Sequence, residues 1–310
     1  MKVRDLFRVQ KQTFSFEFSP PKTAEDIALL FERMQELRPL GPSFISVTYG
    51  AGGSTRRNTI DIVCRMQEEL GIVSVAHLTC VGHSQAELCE VLNELQERGV
   101  ENLMCLRGDP PKGQTTFAPA ADGFANAYQL VQLARSVGDF SIGVAGYPEP
   151  HPECPDAALD LRHLRDKVDC GADFITTQLF FDNRDYFDFC RRARILGISA
   201  RIVPGIWPIT NYKQIQRVAQ MCGATLPAEL RQKLEPVADD QAAVFEIGVA
   251  WASRQCEELL AGGAPGIHFY TMNRSHATQR IFEHLRESRV KGMLPTAVTQ
   301  SLSHTVPQSD

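Results

Sequence analysis

The chain has 310 residues, 43% of them apolar, and a formal net charge of −5 at pH 7. That length can bury a core in one barrel-sized domain or two smaller ones, and a mild negative charge without a basic block disfavours nucleic acid as a partner. The apolar runs fall well short of the ~20 residues of a membrane span. The charged start, Met1-Lys2-Val3-Arg4-Asp5, is no signal peptide, and nine scattered cysteines without C-x-x-C spacing suit reduced thiols in a cytoplasm.

The first periodic segment, Phe14–Ser19, alternates strictly, with Phe14, Phe16 and Phe18 on one face and Ser15, Glu17 and Ser19 on the other. A carboxylate on a buried strand is costly unless it is paired, protonated or used. Glu17 is therefore either a structural carboxylate held by a neighbouring cation or amides, or a general acid or base. In the second role, the phenylalanine-rich surroundings are expected to raise its pKa towards ~6–7. Seven more strand-like segments follow: Phe44–Gly50, Val73–Val81, Asn102–Gly108, Ser141–Tyr147, Phe174–Phe181, Arg201–Ile206 and Gly266–Met272.

Amphipathic stretches separate them, among them Thr59–Leu70, Gln85–Arg98, Ala125–Val137, Arg184–Leu196 and Asn211–Cys222. Eight alternating β and α units predict a (β/α)8 barrel rather than a doubly wound sheet. The long interval before the last strand holds two extra helical pieces, Pro227–Leu234 and roughly Asp240–Leu260. One domain over residues 1–287 is expected, with a flexible tail over 288–310.

In a barrel, polar residues at strand ends gather at the C-terminal mouth, where active sites lie. Thr48 and Tyr49 end strand two, His77 and Thr79 lie on strand three, and Arg107, Gly108 and Asp109 end strand four. Strand five runs into Tyr147-Pro148-Glu149-Pro150-His151, strand six carries Gln178, and strand eight ends Tyr270-Thr271-Met272-Asn273-Arg274. Arg107-Gly108-Asp109 is either a turn with an Arg–Asp ion pair or a charged pair offered to a ligand. Gly50-Ala51-Gly52-Gly53-Ser54-Thr55 lacks the spacing of a Walker or Rossmann loop and reads as a turn at the mouth. His77, His151 and His268 lack helical metal-ligand spacing, so no metal site is expected. Asp160 and Lys167 fall on a charged helix, where a solvated face is the ordinary reading.

Taken in order, these segments resemble methylenetetrahydrofolate reductase. The resemblance rests on Ser15–Pro21, Val47–Ala51, His77–Cys80, Leu106–Pro110, Ala145–Glu149, His151–Glu153, Lys167–Asp169, Thr177–Asp182, Pro204–Pro208 and His268–Arg274. It implies a barrel that binds FAD without a Rossmann fold and reduces 5,10-methylenetetrahydrofolate to 5-methyltetrahydrofolate by ping-pong hydride transfer from NADH or NADPH. It implies Glu17 as the general acid, with Asp109 beside the flavin. Thr48, Tyr49, Ala51, His77, Arg107, Gly108, Asp109, Ala127, Tyr147, His151, Asp160 and Lys167 would hold FAD. Gln178, Gln214, Tyr270 and Arg274 would contact substrate, Arg274 through the folate glutamate carboxylate.

Two positions depart from the family pattern. Asn126 precedes Ala127 where a tyrosine is common, and Val218 stands where a stacking phenylalanine can occur. Because the sequence ends at residue 310, the expectation is a bacterial-type catalytic barrel without the C-terminal regulatory domain of eukaryotic members. A homo-oligomer is expected, since bacterial members are commonly tetramers. The competing readings are a barrel enzyme that transfers a pterin methyl group without redox chemistry, and a non-catalytic folate- or flavin-binding subunit.

Overall fold

A computed structural model describes residues 1–49, 56–110, 113 and 117–290 of the chain. Nine parallel strands make one sheet in the order β7-β6-β5-β4-β3-β2-β1-β9-β8. They are β1 (Thr13–Phe18), β2 (Phe44–Val47), β3 (Ser74–Thr79), β4 (Asn102–Leu106), β5 (Ser141–Gly146), β6 (Phe174–Thr177), β7 (Arg201–Val203), β8 (Gly205–Ile206) and β9 (Gly266–Tyr270). The sheet closes because β7 and β8 are consecutive, so the architecture is the expected (β/α)8 barrel.

The single seventh strand expected over Arg201–Ile206 is broken in two. Pro204 has no N–H to give to a ladder. Below it β7 pairs with β6, and above it β8 pairs with β9. The break stays satisfied: the Pro204 carbonyl accepts from the His268 N–H at 2.9 Å, and the Gly205 N–H donates to Thr177 Oγ1 at 2.9 Å. Several strands are also shorter than their apolar patterns. β6 ends at Thr177, and the next-but-one N–H, that of Leu179, is taken by the Gln178 side chain at 2.8 Å.

Alternation sorts the strand residues between two cores. Outward side chains pack beneath the helices. Phe14 and Phe16 meet Phe282 of the last helix at ring separations of 4.8 and 5.9 Å. Inward side chains fill the barrel from the floor up. The floor is Phe44, Val75, Met104, Phe174 and Val203, plugged from below by Val3 and Phe7. Those two belong to helix α1 (Val3–Val9), a short charged segment whose periodicity had given no helix signal. Asn102 fastens it, accepting the Val3 N–H at 2.7 Å and donating to the Ser74 and Met1 carbonyls. Gly143 of β5 makes room on the floor, since a Cβ there would lie 2.4 Å from the Phe174 ring.

The remaining helices are α2 (Ala24–Leu37), α3 (Arg56–Arg65), α4 (Gln85–Glu97), α5 (Ala127–Val137), α6 (Ala157–Asp169), α7 (Asn183–Ile195), α8 (Tyr212–Cys222), α9 (Ala228–Leu234), α10 (Gln241–Ala261) and α11 (His276–Val290). The extra helices α9 and α10 build a satellite core with α8, Leu179 and Phe181. Gln255 Nε2 and Trp251 Nε1 of α10 donate to the Phe180 and Phe181 carbonyls at 2.9 and 3.2 Å, fixing the loop after β6 at the mouth. Among the described residues no helix is long and apolar enough to cross a membrane.

Candidate active site

Above the floor the inward positions turn polar. Glu17 of β1 lies between two imidazoles, with its Oε2 3.4 Å from His77 Nε2 on β3 and 3.5 Å from His268 Nε2 on β9. The register explains the meeting. Ser15 pairs with His268 and Glu17 with Tyr270, so the inward residues of β1 and β9 stand side by side. On its far side His268 Nδ1 is 2.7 Å from Ser15 Oγ. An ionised Glu17 can only accept, which puts the His268 proton on Nε2 and makes the Ser15 hydroxyl the donor to Nδ1.

This corrects the expected pKa of Glu17. Burial does push it up, but a hydrogen bond from His268 and the charges of His77 and His268 more than offset that, and the carboxyl sits below its ordinary value of 4.5. The phenylalanines that were to raise it point the other way, into the outer core. His77 pays the desolvation instead: burial takes it from 6.5 to about 4, against the pull of Glu17. Its Nε2, His268 Nε2, Thr79 Oγ1 and Thr176 Oγ1 are buried without a well-aligned hydrogen bond inside the chain. Polar atoms left so on a cavity floor fit a bound polar ligand.

Above this floor opens a cavity of about 790 Å³, within the range of cofactor sites. Glu17, Thr48, Tyr49 and His77 line it from the first three strand ends, and Arg107, Gly108 and Asp109 from the fourth. Ala127, Tyr147, His151, Asp160 and Lys167 line the side formed by α5, the loop after β5 and α6. Gln178 and Tyr270 complete the wall. Asp160 and Lys167 are thus not on a solvated helix face. Ala51 lies outside the described residues. Arg274 is exposed and borders a smaller cavity of about 230 Å³ that shares Tyr270 with the main one. The chain turns away after Tyr270 because Met272 and Asn273 adopt left-handed φ of 53° and 58°. Gln214 sits in the first turn of α8 and borders neither cavity.

Each wall residue has a physical reason for its place. Arg107 forks onto Glu153 at 2.6 and 2.9 Å and stacks over Phe117 at 4.8 Å, so its partner is Glu153 and the Arg–Asp turn is not formed. Gly108 has φ +87°, and a Cβ there would lie 2.6 Å from Val81. Lys167 donates to the Ala145 carbonyl at 2.6 Å, and burial lowers its pKa to about 8 against the attraction of Asp160. Asp160 is itself raised by burial, opposed by Lys167 and His151. His151 is lowered, first by burial and then by Arg107, and its ring meets Tyr147 edge-on at 4.7 Å.

Ser15, His268, Glu153, Tyr128 and Trp207 had been given no role in the sequence. Ser15 and His268 were legible as inward positions by alternation, but their meeting depends on strand register. Tyr128 lines the cavity two residues after Asn126, which itself caps α5, so an aromatic side chain is present on that wall. Val218 packs into the satellite core, while Trp207 lines the cavity 6.1 Å from Tyr270.

Fold and site together define a (β/α)8 barrel with a deep cavity at its C-terminal mouth, floored by a carboxylate between imidazoles. A sequence profile described as methylenetetrahydrofolate reductase matches residues 2–286, and the chain belongs to that family. It is 41% identical over 308 residues to methylenetetrahydrofolate reductase (NADH) 1 of Arabidopsis thaliana, covering 95% of this chain and 52% of that protein. It is 36% identical over 279 residues to 5,10-methylenetetrahydrofolate reductase of Escherichia coli K12, covering 90% and 92% respectively. The chain therefore spans about half the length of its plant relative and nearly all of the bacterial one. A solved structure of an uncharacterised Clostridium thermocellum protein that binds two copies of 5-methyl-5,6,7,8-tetrahydrofolic acid shares the fold. Its TM-score is 0.63 at 14% identity, over 94% of this chain and 100% of that one.

Proposed function

We propose that this chain reduces 5,10-methylenetetrahydrofolate to 5-methyltetrahydrofolate, using FAD and a reduced nicotinamide in a ping-pong cycle. The observation that carries the reading is Glu17, held on the floor of the main cavity between His77 and His268. Family membership supports it, as do the relatives' names.

The cavity residues suit FAD. Its volume matches a cofactor site, and Arg107, His151 and Lys167 supply donors for a diphosphate along one wall. Bound there, FAD would accept hydride from the nicotinamide and return it to the folate.

The chain's own residues supply the proton and the orientation. Glu17 rests ionised. A folate ring lying over it removes the water it still touches and raises its pKa, so the carboxyl gains a proton as the complex forms. Glu17 then protonates the folate ring nitrogen and opens the five-membered ring to an iminium that can take hydride. His268, itself held by Ser15, keeps the carboxyl aimed. Asp109 lies at the mouth, where its charge favours the cationic iminium, and Gln178 lies on the wall for the pterin edge. The name of the Arabidopsis relative, an NADH enzyme, supports NADH rather than NADPH as the donor.

The test is anaerobic. Protein loaded with FAD should be yellow, bleach with NADH faster than with NADPH, and regain its colour when methylenetetrahydrofolate is added. A chain that takes up no FAD, or whose reduced flavin is inert to the folate, would overturn the proposal.

A further inference from the structure

Trp207 and Tyr270 stand where the main cavity meets the smaller one. Trp207 follows β8, whose register with β9 turns Gly205 inward beside His268 and Ile206 outward beside Phe269, so the next side chain enters the main cavity. Pro208 and Thr210, just beyond it, line the smaller cavity together with Arg274. Tyr270 borders both. Its ring lies over Gly205, where a Cβ would be 2.7 Å from the phenol oxygen. Its hydroxyl donates to the Thr177 carbonyl at 2.6 Å, which fixes the ring. The Trp207 ring is 6.1 Å away with its plane tilted by 41°, so the two make an open aromatic corner rather than a closed stack. Trp251 donates its indole N–H to the Phe181 carbonyl at 3.2 Å, whereas no acceptor meets that of half-buried Trp207 among the described residues.

We propose that Trp207 is a substrate-binding residue, an aromatic platform for the p-aminobenzoyl ring of the folate. The inference rests on the folate reading above and adds a contact to it. Order along the cavity selects the ring. In that reading the pterin lies over Glu17 beside Gln178, and the glutamate carboxylate reaches Arg274. The aryl ring is the part of the molecule between these ends. Tyr270 pairs with Glu17 in the β1–β9 register and also borders the cavity of Arg274, so the path between the two ends runs past the aromatic corner. A flat aryl amide gains there from ring contact and from burial of its apolar surface. A phosphate or a second carboxylate gains nothing from two aromatic rings. The satellite core packs against Trp207, so the platform is held before a ligand arrives and little ordering cost falls on binding.

The experiment is an anaerobic calorimetric titration of the full chain, with FAD present, against tetrahydrofolate. That probe carries the pterin, the aryl ring and the glutamate but no one-carbon unit to reduce. Trp207→Leu should bind it about three- to tenfold more weakly than the wild type, the worth of one aromatic pair. Trp207→Phe leaves a gap of similar size but keeps a ring face, and should stay within about twofold of the wild type. Unchanged affinity in Trp207→Leu, or equal weakening in both variants, would overturn the platform and leave the folate reading standing. A wild type that binds no tetrahydrofolate would overturn both. Circular dichroism checks that the variants are folded. If Trp207→Leu is not, Trp251→Phe decides, because it leaves Trp207 as the chain's only tryptophan. Its emission should be quenched further as tetrahydrofolate binds, and unchanged emission at saturation would overturn the platform.

Discussion

Glu17 and the imidazoles beside it divide the electrostatic work at the floor of the cavity. Glu17→Gln keeps the shape and the hydrogen-bonding reach but removes the proton. In the proposed reaction this variant should retain FAD and still oxidise NADH, while the folate half-reaction falls by ~10²–10⁴, the worth of a positioned general acid. Equal losses in both half-reactions, followed by stopped flow, would instead make Glu17 structural. The same cluster sets a pH dependence of stability. The folded pKa of His77 is about 4 against an ordinary 6.5, so folding favours its neutral form. That contribution is complete above 6.5 and is lost as pH falls from 6.5 through 4. Its size is on the order of 3 kcal/mol. Glu17, also depressed, acts in the same sense: its contribution is full above 4.5 and lost as pH falls through its lower folded value. His77→Gln should flatten the fall in urea-unfolding stability between pH 6.5 and 4. An unchanged slope would show that His77 is not the group responsible. The sequence made Glu17 conspicuous, because alternation is local. Its depressed pKa could not be read there, since the partners that set it come from β3 and β9 through strand register.

Elements show the same boundary between local and distant information. Strand and helix periodicity placed all eight repeating units and the extra helices before β9, because each is an amphipathic pattern within a few turns. The split at Pro204 escaped notice because Ile202–Ile206 reads as one apolar run, and which neighbour each half pairs with is decided across the barrel. Helix α1 was unseen for another reason. Its few residues bury only Val3, Leu6 and Phe7, and its value lies in the open barrel floor that it closes. Phe7 meets Phe174 edge-on at 5.4 Å and carries the Arg201 guanidinium at 4.9 Å from its ring. Phe7→Ala should cost about 3–5 kcal/mol in equilibrium unfolding. The cavity at the opposite end should keep its ligand affinity once the variant is folded, and a loss below about 1 kcal/mol would mean that α1 is an appendage rather than a plug. Gly143→Ala tests the floor from inside. The added methyl meets the Phe174 ring, so about 1–3 kcal/mol should be lost and largely recovered when Phe174 is reduced to Leu.

At the scale of the whole molecule, the cavity wall is assembled from both ends of the sequence. Glu17 comes from the first strand and Tyr270 from the last, and Thr48, Arg107, Tyr147 and Gln178 come from loops between them. A ligand that touches all of these ties the barrel together, and any occupant specific to the folded state must stabilise it through mass action. FAD at ~100 times its dissociation constant should add about 2.7 kcal/mol. In a chain of this size that is a rise in melting temperature of about 5 °C. The same reasoning separates FAD from smaller flavins. Asp160, Lys167 and His151 line the α6 side of the cavity and Glu17 its floor, and the proposed FAD, longer than FMN by a nucleotide, is placed to touch both. FMN should therefore shift the melting temperature less than FAD at equal concentration. Lys167→Met should narrow that gap, because it removes a donor from the far side while leaving the floor intact. Equal shifts from FMN and FAD in the wild type would mean that the α6 side of the cavity does not hold the cofactor.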